Sequence, residues 1–147
     1  MLGMIGRVSW EERDASGRPI ASGSAHNLFL DPGRVVFAEW VMGNYGFGLN
    51  AQFFHFGTGT AVPQPTNTAL QMWVTAKIRS DFDTPGNFTG QVKVTLGATE
   101  MTGLITEILY ASASNVAQTH ALARALISAN HQSGNTMVFT WRFAMQA

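Results

Sequence analysis

Alternation of apolar and polar residues is the dominant pattern along the chain, and it predicts short β-strands. In the C-terminal segment 135–144, large apolar residues occupy every second position, at Met137, Phe139, Trp141 and Phe143. Side chains two residues apart share one face of a strand. We therefore expect these four odd-numbered side chains to face the core.

The same alternation predicts further strands, which are separated by turn-forming residues. An N-terminal hairpin is expected from segments 4–13 and 18–27, joined by the turn Asp14-Ala15-Ser16-Gly17. Such clusters of Asp, Ser and Gly mark tight turns. The remaining strands are predicted over 51–57, 72–82, 92–96, 104–111 and 120–128.

The central part of the chain predicts a second hairpin. In the segment 72–82, Val74, Ala76, Ile78 and Phe82 have the spacing of one strand face. The residues Asp83-Thr84-Pro85-Gly86-Asn87 are typical of a turn, and an alternating strand over 92–96 follows. We expect segments 72–82 and 92–96 to pair.

One helix is predicted, over residues 32–42. Asp31 is a residue type that caps helix N-termini, and Pro32 follows at the first helical position. Gly43-Asn44 supplies a C-terminal cap, and we expect the glycine-rich segment 43–48 to form a loop.

These elements together predict a single β-rich domain over residues 1–147. About eight short strands and one short helix favour an antiparallel β-sandwich or a rolled β-barrel. The strand 104–111 is apolar on both faces, which is typical of a central strand or a subunit interface. Residues 1–5 are apolar and form either an extended arm that pairs with a neighbour's sheet edge or a frayed end.

Composition narrows the classes of partner. Only 12% of the residues are charged, about half the usual ~25%, whereas 46% are hydrophobic. This excess favours apolar surface that a protein partner covers. Nine basic residues balance nine acidic ones, so we expect no nucleic acid and no membrane as partners. With no cysteine, disulfides and thiolate chemistry are excluded.

We expect no catalytic, cofactor-binding or metal site. His26, His55, His120 and His131 lie in separate segments without the spacing of a zinc site. The segment Gly57-Thr58-Gly59-Thr60 lacks the lysine of a phosphate-binding loop. It is interpreted as a turn whose glycines adopt positive φ.

Glu107 is the one carboxylate placed among apolar residues, between Leu104, Ile105, Ile108 and Leu109. A buried unpaired charge is costly, so we predict a structural ion pair with Arg124 or with Arg142. A catalytic acid would have the same surroundings. It would also need a second acid, a nucleophile or an orienting base, and if the chain were an enzyme, Glu107 and His120 would be the residues to mutate first.

Several motifs, each weak alone, occur in a specific serial order. They are a hairpin leading to His26-Asn27-Leu28, then Asp31-Pro32-Gly33-Arg34, then Phe56-Gly57-Thr58-Gly59-Thr60 with Pro63, Pro65 and Thr68-Ala69-Leu70, then Ile105-Thr106-Glu107-Ile108, and finally Leu122-Ala123-Arg124-Ala125. This order resembles a type of tailed-bacteriophage virion structural protein. The resemblance covers nearly the whole chain, and it is greatest to head decoration proteins of long-tailed phages that infect thermophilic bacteria.

The resemblance implies a homotrimer that decorates and cements the mature capsid. It implies binding to the major capsid protein at the outer capsid surface, synthesis in the host cytoplasm and extended arms. The candidate interface and arm residues are Met1, Leu2, Met4, Ile5, Val62, Pro63 and Pro65. Similar motif order occurs in tail-fibre and baseplate-associated proteins, and a small-ligand-binding β-barrel is the remaining alternative.

Overall fold

The computed structural model describes residues 3–41, 53–86, 89–116 and 121–146. The strands and the helix have the following bounds: β1 Gly3–Arg13, β2 Pro19–His26, β3 Leu28–Phe29, α1 Asp31–Val41, β4 Phe53–Gly57, β5 Trp73–Ile78, β6 Asp81–Gly86, β7 Thr89–Leu96, β8 Gly103–Ala111, β9 Ala121–His131 and β10 Thr136–Gln146.

The strands form two antiparallel five-stranded sheets. Sheet A has the order β2-β1-β10-β7-β6, and sheet B has the order β3-β9-β8-β4-β5. Both sheets contribute to one hydrophobic core, as in a β-sandwich. The predicted mainly β, antiparallel fold with one short helix is therefore confirmed.

The inner faces of the two sheets carry large aromatic side chains. Met137, Phe139 and Trp141 of β10 are buried, and Phe143 packs against them partly exposed. This confirms the face predicted from the alternation. Sheet B contributes Phe54 and other aromatic and aliphatic residues. Buried side chains of the two sheets pack against one another in a shared cluster between them.

The chain crosses between the sheets on both lateral sides of the sandwich. On one side, the edge strand β2 of sheet A continues through Asn27 into β3, the edge strand of sheet B. The indole Nε1 of Trp141 donates to Oδ1 of Asn27 at 3.0 Å, which ties this crossover to the core. Gly6 lies directly against the Asn27 side chain, where a Cβ would clash.

The second crossover corrects the prediction of a single strand over 72–82. The segment contains β5, an edge strand of sheet B, and the start of β6, an edge strand of sheet A. Ser80 lies between them, and its backbone N–H donates to the Lys93 carbonyl at 2.8 Å. The hairpin partner of β7 is thus β6 and not β5.

Several boundaries also differ from the predicted ones. β6 continues through Gly86, although residues 83–87 were expected to form the turn; residues 87 and 88 lie outside the described residues. The helix begins at Asp31, one residue early. The expected cap at 43–44, the loop 43–48, the strand start at 51–52 and His120 lie outside the described residues.

The outer face of sheet B is also buried where β8 and β9 pass, which explains why β8 is apolar on both faces. A second hydrophobic cluster consists of Leu30, Leu70, Leu109, Ala111 and Ala121. Helix α1 packs on β9, and the loop between β4 and β5 contributes Leu70. β8 is therefore a central strand of sheet B, between β9 and β4.

Candidate functional site

The loop 58–72, which connects β4 and β5, folds back on itself. Its ends meet where the Thr58 N–H donates to the Met72 carbonyl at 3.0 Å. Gln71 Oε1 accepts from the N–H groups of Thr60 and Ala61 at 3.0 and 2.9 Å. Compact loops with adjacent ends are often functional. Since this loop has no regular secondary structure, other groups must form hydrogen bonds with its backbone N–H and C=O groups.

Glu107 supplies many of those hydrogen bonds. Its fully buried carboxylate accepts from the Gly59 and Met72 N–H groups through Oε1, at 3.0 and 2.7 Å. Oε2 accepts from the Gln71 N–H at 3.0 Å. One side chain of β8 therefore holds both ends of the loop.

Arg124 of β9 completes this network. Its Nη2 donates to Glu107 Oε2 at 2.8 Å and to the Ala61 carbonyl at 2.9 Å. Its Nη1 donates to Asn67 Oδ1 at 2.7 Å. The ion pair predicted between Glu107 and Arg124 is present. Arg142, the alternative partner, lies on sheet A and donates to Gln91.

The glycines of the Gly57-Thr58-Gly59 motif are required by close approach, not by positive φ. Neither residue is among the described glycines with positive φ, which are Gly17, Gly103 and Gly134. A Cβ at Gly57 or at Gly59 would lie 2.6 Å from Glu107 Oε1. The predicted reason for these glycines was therefore wrong: both leave room for the carboxylate, and Gly57 also leaves room for the Met72 carbonyl, which would lie closer still to its Cβ.

The exposed part of the loop contains the three loop residues predicted from the sequence. Val62 is 67% exposed, Pro63 is half-buried and Pro65 is exposed. The Pro65 carbonyl accepts from the Asp31 N–H at 2.7 Å, which fixes the loop to the start of α1. Val62 is thus an apolar side chain held in solvent by an anchored backbone.

The predicted N-terminal arm is corrected in part. Gly3, Met4 and Ile5 pair with Gln146, Met145 and Ala144 of β10. Residues 3–5 are therefore a continuation of β1 in the chain's own sheet, because β10 extends far enough to bond them. Met1 and Leu2 lie outside the described residues.

His55 lies on the outer face of sheet B, opposite in direction to Phe54 and Phe56 as its position in β4 predicts. Trp73 Nε1 donates to His55 Nδ1 at 3.1 Å, so Nδ1 is the acceptor. The other nitrogen, Nε2, carries the proton and donates to the Ala113 carbonyl at 2.6 Å. Burial lowers the pKa of His55, and the bond to Ala113 opposes this effect only in part.

An exposed apolar surface lies next to this histidine and includes three residues that the sequence pattern placed on one strand face, Val74, Ile78 and Phe82. We call residues Met72, Trp73, Val74, Ile78 and Phe82 the apolar edge; all five are at least 40% exposed. They belong to the loop end, β5 and β6, on one lateral side of the sandwich. The signal in the sequence is the run Met72-Trp73-Val74, because three consecutive apolar residues cannot all face one core.

Two general findings concern the described residues only. No group of three or more His, Asp or Glu side chains there could hold a metal ion. Among the described helices, none has the length and apolar character needed to cross a membrane.

Comparison with known proteins gives no relative for this chain: no family model, curated protein or solved structure matches it. Its function must therefore be argued from its own residues.

We predict that Glu107→Gln destabilises the protein by about 3–5 kcal/mol, because it leaves Arg124 as an unpaired buried cation. The NH₂ group of the amide would also face N–H donors whose hydrogen bonds the carboxylate oxygen accepts in the wild type. Urea unfolding would measure the change. Hydrogen exchange at Gly59, Gln71 and Met72 should become faster, since their N–H groups lose an acceptor.

Glu100→Gln is the matched control. Glu100 pairs with Lys77 in a half-exposed position, where such pairs contribute about 1 kcal/mol or less. Equal unfolding free energies for the wild type and Glu107→Gln would contradict the role assigned to the buried pair.

Acidification should destabilise the protein through His55. The folded-state pKa lies below the ordinary value of 6.5, so the unfolded chain binds the proton more readily. The contribution of neutral His55 is present above pH 6.5 and is lost as the pH falls toward the folded pKa. Protonation would also set two donors, Trp73 Nε1 and His55 Nδ1, against each other.

The measurement is the unfolding free energy from neutral pH down to the range where carboxylates begin to titrate. As the pH falls, the unfolding free energy of His55→Gln should decrease less than that of the wild type. His26→Gln, at an exposed position of β2, should show the same decrease as the wild type. An unchanged pH dependence in His55→Gln would refute this assignment.

Proposed function

We propose that the protein is a non-enzymatic structural component of a virion, which works as a homo-oligomer that decorates and stabilises a phage capsid. The observation that carries the assembly role is the apolar edge. The serial order of motifs in the sequence supports the virion class. The two lines of support are independent, and each has its own experiment.

The apolar edge supports assembly because it combines exposed apolar side chains with sheet edges. β5 ends sheet B, and β6 ends sheet A; a two-residue connection keeps them on the same side. Trp73 is 40% exposed, Val74 47%, Ile78 52% and Phe82 66%. Large exposed apolar patches on proteins usually mark interaction sites.

The two edges differ in how well they are protected against added strands. β6 carries Asp81, Asp83 and Pro85, and charges and proline are the usual protection of an edge. β5 has Lys77 as its one charged residue. The Lys77 ammonium is engaged with Thr95 O and Glu100. β5 is therefore the unguarded edge, at which we place the contact between copies.

A second copy of the chain is the partner that this edge fits. Antiparallel pairing of β5 with β5 of another copy would satisfy backbone groups on both strands and bring Trp73 toward Ile78. In a trimer, the apolar edge of one copy would instead contact a surface of the next copy other than its own apolar edge. Repeated weak contacts on a capsid lattice then add up through multivalency.

The anchored loop 58–72 is the element proposed to contact the capsid. Val62 projects from a backbone that Glu107, Arg124 and Gln71 hold in place. A preorganised loop loses little conformational entropy on binding. A tail-fibre or baseplate position in the virion remains the second candidate, because the same motif order occurs in those proteins.

Charges placed on β5 should dissociate the oligomer. We expect purified wild-type protein to have the mass of an oligomer in light scattering. The double variant Val74→Lys/Ile78→Lys should have the mass of a monomer, because ammonium groups of like charge would face each other across the antiparallel contact. Its circular dichroism spectrum should stay that of the wild type, since both positions are exposed.

Ile20→Lys is the matched control for this experiment. Ile20 is 43% exposed on β2, the edge strand at the opposite side of sheet A, and we expect this variant to remain oligomeric. A monomeric wild type, or an oligomer that withstands the β5 charges, would rule out the proposed contact.

The virion role has a separate test. Gold-labelled antibodies against the purified protein should decorate the heads of virions from the phage that encodes it. The purified protein should also bind expanded empty heads of the same phage, and Val62→Asp should weaken this binding without changing the oligomer mass. Label on tails would favour the second candidate, and unlabelled virions would overturn the virion role.

A further inference from the structure

The outer face of sheet A has an open depression of about 480 Å³ whose charged lining groups are all cationic. The cations are Arg7 of β1, Lys93 of β7 and Arg142 of β10. Hydroxyl groups of Ser9, Ser24 and Thr140 lie among them. The whole chain has a formal net charge of zero, so this is a local concentration of positive charge.

The two arginines are placed unfavourably for a protein without a ligand. Arg7 and Arg142 are direct partners in the register of β1 and β10, and like charges opposite each other on adjacent strands are destabilising. Arg142 Nε donates to Gln91 Oε1 at 2.7 Å, which leaves its Nη groups for other acceptors. Among the described residues, neither Arg7 nor Lys93 forms an ion pair.

Three carboxylates on strands of sheet A, those of Asp81, Asp83 and Glu11, form hydrogen bonds or ion pairs elsewhere. Asp81 lies opposite Lys93 in the register, but its Oδ1 accepts from the Phe82 N–H at 2.8 Å. Asp83 accepts in the same way from Thr84. Glu11, farther along β1, pairs with Arg13. The backbone bonds leave both aspartate carboxylates charged, yet among the described residues no carboxylate forms an ion pair with Arg7, Lys93 or Arg142.

We propose that this depression binds a tetrahedral oxyanion, phosphate or sulfate, either as the free ion or as an ester. Two guanidinium groups and one ammonium group match a dianion better than a single carboxylate, and arginine forms paired hydrogen bonds to such oxygens. The serine and threonine hydroxyls donate to the remaining oxygens. This site is independent of the proposed assembly function, since it lies on a sheet face and not on the apolar edge.

The test is a titration of the full-length protein with inorganic phosphate, inorganic sulfate and glucose 6-phosphate at constant ionic strength. Backbone amide signals of Arg7, Ser9 and Thr140 should shift and saturate, with a Kd on the order of 1 mM because the site is open to water. Equal affinity for phosphate and its ester would assign the site to the terminal oxyanion. Tighter binding of the ester would add recognition of the sugar.

Arg7→Gln and Arg142→Gln should each weaken binding by about tenfold, because a charge-assisted hydrogen bond is lost. Arg18→Gln removes the same charge at the exposed turn near Asp14 and should bind as the wild type does. In chloride alone, Arg7→Gln should melt no lower than the wild type, because repulsion from Arg142 is relieved. In phosphate, the wild type should melt higher than Arg7→Gln.

Two results would overturn the proposal. One is an equal response of the wild type to chloride and to phosphate at the same ionic strength. The other is phosphate binding, or stabilisation by phosphate, that is undiminished in the Arg7→Gln/Arg142→Gln double variant. Such stabilisation would be the general effect of phosphate and sulfate, which are excluded from protein surfaces.

Discussion

The buried ion pair between Glu107 and Arg124 is the interaction on which the outer layer of sheet B depends. A buried pair is in itself a doubtful source of stability, because both charges lose their hydration. Here the loss is offset by hydrogen bonds: the carboxylate accepts from three backbone N–H groups as well as from Arg124. The loop 58–72 excludes water from the pair, and the pair gives the loop a fixed conformation, so neither would persist alone.

This mutual dependence explains features of the sequence that have no local cause. Gly57 and Gly59 lack side chains because the Glu107 carboxylate passes within 2.6 Å of where their Cβ atoms would be. Asn67 is needed at a loop position because it accepts from Arg124 and from the Gln64 N–H. Leu70 closes the second hydrophobic cluster over Leu109. A motif that resembles a phosphate-binding turn is thus shaped by a carboxylate of β8, a strand that neighbours β4 in sheet B but is separated from it by three strands in sequence order.

Periodicity in the sequence predicts those parts of the fold in which each strand keeps one face to the core. It identified the buried face of β10 and the isolated Glu107, since alternation and an apolar context are local properties. Periodicity failed at 72–82, where the chain passes from β5 of sheet B to β6 of sheet A near Ser80. The even spacing of Val74, Ile78 and Phe82 fits one continuous strand equally well, so it does not reveal this change of sheet. The depression on sheet A was also missed, because Arg7 and Arg142 become neighbours only through the pairing of the first and last strands.

The apolar edge and the cationic depression lie on different sides of the sandwich. The apolar edge lies on a lateral side, where no strand among the described residues pairs with the outer edge of β5. The cationic depression lies on the outer face of sheet A, at its middle strands. A sheet edge and a sheet face point in different directions, so copies that associate by β5–β5 strand pairing would leave the face of sheet A open to solvent. Assembly and anion binding can therefore occur in the same molecule, and removing the charge of Arg7 should leave the contact at β5 intact.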